Sequence, residues 1–141
     1  MIEEELYREN IIDHYRHPRN KTALAQATFS HQEKNPLCGD EITLFVELAG
    51  GKFAEDKLAE HKVVRASFLG QGCAISQASV SLLTEYLEGK SLSEVKQLTQ
   101  KDIFSLLGVA VSPGRVACAV LSLKALHKGI EKVIRKLKPI P

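Results

Sequence analysis

Asn35-Pro36-Leu37-Cys38-Gly39-Asp40-Glu41-Ile42-Thr43-Leu44-Phe45-Val46-Glu47-Leu48 runs from a bend into a strand, and its reading sets both the fold and the place of the chemistry. Pro36 biases Asn35 toward an extended backbone and Gly39 permits a tight bend. From Glu41 the apolar residues Ile42, Leu44, Val46 and Leu48 alternate with Glu41, Thr43, Phe45 and Glu47, the period of a strand with one buried face. Cys38 and Asp40, at i and i+2, point the same way as that strand begins. A soft thiolate donor and a hard carboxylate donor therefore share its mouth, which is half of a metal site.

Two other cysteines are candidates to complete the site. Cys73 sits in Gly70-Gln71-Gly72-Cys73-Ala74-Ile75-Ser76 and Cys118 in Ser112-Pro113-Gly114-Arg115-Val116-Ala117-Cys118, each in a glycine-marked turn before an apolar helical pattern. Cys38, Asp40, Cys73 and Cys118 together supply the four ligands of a tetrahedral zinc ion. A cysteine taken alone is more often a small buried hydrophobe, but three in such turns weigh against that reading. The field at a helix N-terminus favours the thiolate of Cys73, and of Cys118 if its helix begins near Val116. Arg115 is a candidate for electrostatic support beside the thiolates or for pairing with Asp40, against an equal case for an ordinary surface cation.

Outward from the central stretch, apolar residues Leu6, Tyr7, Ile11, Ile12 and Tyr15 predict a helix from Ile2 to His17, ended by Pro18. His14 and His17 near its end read as cations favoured by the helix dipole rather than as ligands. Thr28 to His31 reads as a short strand. After the break at Ala49-Gly50-Gly51-Lys52, Val64, Ala66 and Phe68 alternate with Val63, Arg65 and Ser67, which predicts an antiparallel return. The polar segment Phe53 to Lys62 has room for a helical turn. Ile75, Ala78, Leu82, Leu83, Tyr86 and Leu87 predict an amphipathic helix closed by Glu88-Gly89. Ser91-Leu92-Ser93-Glu94 has the spacing of a capping box ahead of Leu92, Val95 and Leu98. A short helix from Asp102 to Leu107 stops at Gly108, and a long basic one runs from Val116 to Leu137, ended by Pro139. Its Lys124, Lys128, Lys132, Arg135, Lys136 and Lys138 read first as a solvated face and second as a docking surface for an acidic partner. Strands followed by helices predict an α+β fold: a small antiparallel sheet of about three strands, helices on one face, and the metal site at one end.

A chain of 141 residues is expected to form a single domain over 1–141. Three cysteines in unlike contexts, with no signal peptide ahead of Ile2-Glu3-Glu4, argue against a secreted disulfide framework and for a reducing cytoplasm. No apolar run nears the roughly 18 residues of a membrane span, and a net charge of +2 gives no case for nucleic acid. There is no Cys-x-x-Cys. Ile75 stands where a dinucleotide fingerprint needs its third glycine, and the motif set of a zinc deaminase is missing.

Asn35-Pro-Leu-Cys38-Gly39-Asp40, Gly70-Gln-Gly-Cys73-Ala-Ile-Ser76 and Pro113-Gly-Arg115-Val-Ala-Cys118-Ala-Val-Leu121 resemble, in order and spacing, the three cysteine motifs of the IscU/SufU (NifU N-terminal-like) iron-sulfur cluster assembly family. Leu6-Tyr7-Arg8, Asp13-His14-Tyr15 and Pro18-Arg19-Asn20 are similar too. Ala117, where IscU proteins carry histidine, and Arg115 resemble the SufU branch. The chain lacks the insertion usual there between the second and third cysteines, and its Gly50 to His61 segment is longer than the hairpin needs. The resemblance implies zinc, or a transient [2Fe-2S] cluster, held by Cys38, Asp40, Cys73 and Cys118. It implies a cysteine desulfurase as sulfur donor, a downstream apo-protein or cluster carrier, and a monomer or weak dimer. Cys38, on its bend, is the expected sulfur acceptor, with Cys118 next. Whether the chain is a scaffold or a zinc-dependent sulfurtransferase stays open at this point. So does a reading of another class, a non-catalytic zinc-stabilised interaction module.

Overall fold

The computed structural model describes residues 2–36 and 39–137. The side chains of Leu6, Tyr7 and Leu137, and all of Lys138 and Pro139, lie outside what is described. Three strands, β1 (Phe29–Asn35), β2 (Asp40–Leu48) and β3 (Val63–Gln71), form an antiparallel sheet in the order β1-β2-β3. Helix α1 (Ile2–Arg16) precedes it; α2 (Ala74–Leu87), α3 (Leu92–Lys96), α4 (Gln100–Leu107), α5 (Val116–Ala119) and α6 (Leu121–Leu137) follow. Helices are thus added to a small sheet, as the order of patterns predicts.

The alternation in β2 holds as far as Glu47, with Ile42, Leu44 and Val46 buried and Thr43, Phe45 and Glu47 half-buried, and lapses at Leu48, which is half-buried too. Leu44 faces Phe68 and Val46 faces Ala66 across the ladder, and all four lie in a core shared with Leu83, Leu87, Leu126 and Ile130. Removal of each large side chain from water contributes about 1.5–3 kcal/mol. β1 is longer than the Thr28–His31 segment suggests, because its polar residues Gln32 to Asn35 still pair with Thr43 to Asp40. In β3 the alternation fails at its start. Val63 is buried and Val64 is 44% exposed, since a register shift at Glu47/Leu48 sets Val63 opposite Leu48 and leaves Val64 outside the alternation.

The turn in the Phe53–Lys62 segment exists, at Glu55–Lys57. His61 fixes it: buried to 1% exposure, it contacts the Ala49 carbonyl through Nδ1 at 3.0 Å and accepts from the Ala54 amide at Nε2, also at 3.0 Å, under the stacked ring of Phe53. Ser91 caps α3 as its spacing predicts, accepting from the Glu94 amide. α4 begins two residues earlier than expected because Thr99 and Asp102 form a reciprocal capping box. The predicted C-terminal helix is divided at Val120, although the amide ladder runs through it from Val120 to Val116 and from Lys124 to Val120.

Helix α2 departs most from its sequence pattern. Instead of an amphipathic surface helix it is buried on nearly all sides, with Ser76, Gln77, Ser79, Ser81 and Thr84 inside and Ile75, Leu82 and Tyr86 only half-buried. Its neighbours α1, α4, α5, α6 and β3 surround it. The Pro18-Arg19-Asn20 segment clamps it: the Arg19 amide donates to Ser81 Oγ at 2.9 Å, Asn20 Nδ2 to Thr84 Oγ1 at 3.2 Å, and the Phe68 amide of β3 to the Asn20 carbonyl at 2.9 Å.

His14 corrects its sequence reading. It is not a dipole-favoured surface cation; it is 4% exposed, with Nδ1 2.8 Å from Ser81 Oγ and Nε2 3.6 Å from Glu85. Burial, and then the charge of Arg19, hold its pKa below the ordinary value of 6.5 against the opposite pull of Glu85 and Asp13. The unfolded chain therefore takes up this proton first as pH falls. His14 contributes its full stability above about pH 6.5 and loses it progressively below, toward the depressed folded value. The denaturant midpoint of the protein should drop more between about pH 7.5 and about pH 5.5 than that of His14→Gln. Parallel pH profiles for the two proteins would show that His14 does not carry this dependence.

Candidate metal centre

Three of the candidate ligands meet where the sheet ends. Asp40 is the first residue of β2, across from Asn35 at the end of β1. Cys73 is the N-cap of α2, and Cys118 lies in α5, behind a 3-10 turn at Pro113–Arg115. One ligand atom from each of Asp40, Cys73 and Cys118 lies within 4.8 Å of the others, the one such group among the described residues. Asp40 and Cys118 are buried and Cys73 is half-buried. Cys38 belongs to the connection between Asn35 and Asp40 and lies outside the described residues, as does Leu37.

The Asp40 carboxylate is shared between two tasks. Oδ1 accepts from the Cys73 amide at 3.0 Å, while Oδ2 lies 3.7 Å from Cys73 Sγ. A carboxylate so placed satisfies an amide that opens a helix and meets the positive end of its dipole. Helix packing sets the second thiol against the first. Ser79 of α2 donates to the Ala119 carbonyl, next to Cys118, at 2.7 Å and lies 3.0 Å from Ser122 Oγ. Asn35 Nδ2 approaches Cys118 Sγ at 4.0 Å, the long limit for a hydrogen bond to sulfur. Asn35 and Ser79 are contributors that residue patterns did not single out, because neither is of a ligand type; only the burial of a polar side chain beside a cysteine reveals them.

These groups line an open cleft of about 550 Å³ with Gly39, Gln71 and Gly72 on one side and Gly114 and Arg115 on the other. Arg115 is exposed at the mouth and, among the described residues, makes no ion pair with Asp40. Zinc–sulfur bonds of about 2.3 Å in a tetrahedron put neighbouring ligand atoms about 3.8 Å apart. Asp40 Oδ2 and Cys73 Sγ, 3.7 Å apart, already meet that spacing, all three donors lie within 4.8 Å of one another, and two thiols with one carboxylate suit a borderline-soft ion. The three described donors fit a metal ion.

The chain belongs to the NifU-like N terminal domain family, whose profile matches residues 6–139. It is 37% identical over 144 residues to the zinc-dependent sulfurtransferase SufU of Bacillus subtilis (strain 168), covering 90% of each chain. To the iron-sulfur cluster assembly scaffold protein IscU of Thermotoga maritima it is 29% identical, covering 96% of this chain and 99% of that one. A crystal structure assigned as an iron-sulfur cluster assembly scaffold protein for the SUF system, from Fervidobacterium islandicum AW-1, superposes with a TM-score of 0.67 at 28% identity, over 86% of this chain and 94% of that one. No helix among the described residues is long and apolar enough to cross a membrane.

In metal-free protein, Asp40→Ala leaves the Cys73 amide without its carboxylate and should cost about 1–3 kcal/mol of stability, whereas Asp40→Asn, which keeps an acceptor oxygen, should cost less. Urea denaturation of the three proteins in excess chelator measures this. An Asp40→Ala midpoint equal to wild type would show that the contact does not support the fold.

Proposed function

We propose that this protein is an iron-sulfur cluster assembly component that binds zinc, or carries a nascent [2Fe-2S] cluster, through Cys38, Asp40, Cys73 and Cys118, and accepts sulfur from a cysteine desulfurase in the cytoplasm. The observation that carries the reading is the convergence of the Asp40, Cys73 and Cys118 donors on one open cleft, in a chain of the family to which the SufU and IscU relatives belong. Zinc in such a site keeps the thiols deprotonated and lowers their nucleophilicity until a ligand is released.

The chain's own residues supply the rest. Cys118 is 5% exposed and Cys73 is half-buried, whereas Pro36 and Gly39, the described residues nearest Cys38 in the chain, are both exposed. Cys38 is the acceptor on this reading. Its thiolate attacks the terminal sulfur of the donor persulfide; a sulfur–sulfur bond forms at Cys38, the donor's own sulfur–sulfur bond breaks, and the donor cysteine leaves as a thiolate. Arg115 at the mouth offsets the negative charge that this brings together. Asp40 would be the ligand held least firmly by a bound metal of thiolate preference, and so the one best suited to give way when sulfur or a cluster is passed to a downstream apo-protein.

Mass spectrometry of the wild type and of Cys38→Ser, Cys73→Ser and Cys118→Ser after incubation with a cysteine desulfurase and cysteine tests the assignment, with zinc content measured on each. Persulfide should be lost in Cys38→Ser and slowed several-fold in Arg115→Glu. A folded Cys38→Ser that gains persulfide at the wild-type rate would move the role to Cys73, which is more accessible than Cys118, the alternative that the sequence favours. Thiols that all stay unmodified, in a chain that unfolds when zinc is removed, would identify an interaction module instead.

A further inference from the structure

We infer that Gly72 is a positioning residue for the Asp40 carboxylate: its missing side chain lets Asp40 sit between the Cys73 amide and the thiols. The inference rests on the ligand set proposed above and adds to it the residue that makes the carboxylate available. A Cβ built on Gly72 would lie 2.5 Å from Asp40 Oδ1, 2.8 Å from its Cγ and 2.6 Å from Ser76 Oγ, closer than real Cβ atoms come to any neighbour. Gly72 is not among the glycines with positive φ, so its backbone suits any residue and space alone is limiting. Gly39 is the reverse case: its φ is 75° and nothing among the described residues lies within 4 Å of its Cβ position.

A side chain at residue 72 presses on two groups at once, and they differ in how readily they give way. Ser76 is fully buried in the first turn of α2, and its hydroxyl donates to the Cys73 carbonyl at 3.1 Å, so it has little room to move. The Asp40 carboxylate is the end of a side chain and turns more easily. Turning it away breaks the 3.0 Å bond from the Cys73 amide and withdraws Oδ2 from Cys73 Sγ. Gly72→Ala should therefore act on the metal as Asp40→Ala does, while leaving every ligand in the sequence.

Zinc affinity, measured on the full chain by competition with a chromophoric chelator, compares wild type, Gly72→Ala, Asp40→Ala and the double variant. Gly72→Ala should weaken binding by about 10–100-fold, as loss of a supporting contact does at metal sites. The double variant should bind no worse than Asp40→Ala alone. The cobalt(II) forms of Gly72→Ala and Asp40→Ala should show the same shift in their visible absorption, a signature that a general loss of stability would not produce. In zinc-free protein, the Cys73 amide proton resonance should move in the same direction in both single variants. If Asp40→Ala leaves zinc affinity unchanged, the proposed ligand set fails, and the Cys73 resonance still decides the role of Gly72. Wild-type affinity and an unmoved Cys73 resonance in Gly72→Ala, or losses that multiply in the double variant, would overturn the inference. If Gly72→Ala alone does not fold, a folded double variant supports it, and a double variant that also fails to fold overturns it.

Discussion

The joint on which the structure turns is the contact between a carboxylate and an amide. Asp40 opens β2, Cys73 opens the helix that follows β3, and the 3.0 Å bond from the Cys73 amide to Asp40 Oδ1 ties these two starting points together. A carboxyl group buried to 2% exposure is costly unless its oxygens have partners. The first amide of α2 supplies one, and it would otherwise itself be an unpaired donor. The second oxygen then faces the Cys73 thiol at 3.7 Å. Fold and site thus share one functional group, so a change in what Oδ2 binds is felt by the hairpin and by the helix.

The rigidity behind that joint comes from α2. A surface helix could shift its first turn by a few tenths of an ångström at little cost, whereas one enclosed by neighbours transmits strain. Buried Ser79, Ser81 and Thr84 of α2 find partners in the Pro18-Arg19-Asn20 segment, in His14 and in the start of α6. One of these contacts also ties Cys118 to the helix that Cys73 opens, because Ser79 bonds the carbonyl next to Cys118.

The basic helix α6 meets β1. Glu33, whose side chain is 11% exposed, lies 2.9 Å from His31 Nε2, 3.2 Å from Lys128 Nζ and 3.9 Å from Lys124 Nζ. Burial works to raise its pKa, but the bonds to His31 and Lys128 and the charge of Lys124 hold it below the ordinary carboxylate value. Part of the charge of α6 is therefore spent within the fold. Gly129, in the same helix, lets the Phe29 ring and His31 of β1 come close beneath it.

What the sequence determined by itself follows from local rules. Period-two alternation identified β2, capping chemistry placed the start of α3, Gly108 marked the end of α4, and the order of strands before helices set the α+β class. The candidate ligands were legible because thiol and carboxylate are unusual neighbours in glycine-marked turns. The tertiary structure decided what depends on neighbours distant in the chain. It put His14 inside, because Ser81 lies 67 positions away and offers it a partner. It buried the polar side of α2 by surrounding it, extended β1 by giving polar residues a partner strand, and displaced Val64 from the alternation by leaving it unpaired between Val63 and Arg65 where the register with β2 shifts. Above all, it turned Gly72 from a bend marker into the space an aspartate occupies. A missing side chain leaves no trace in a residue pattern of what takes its place.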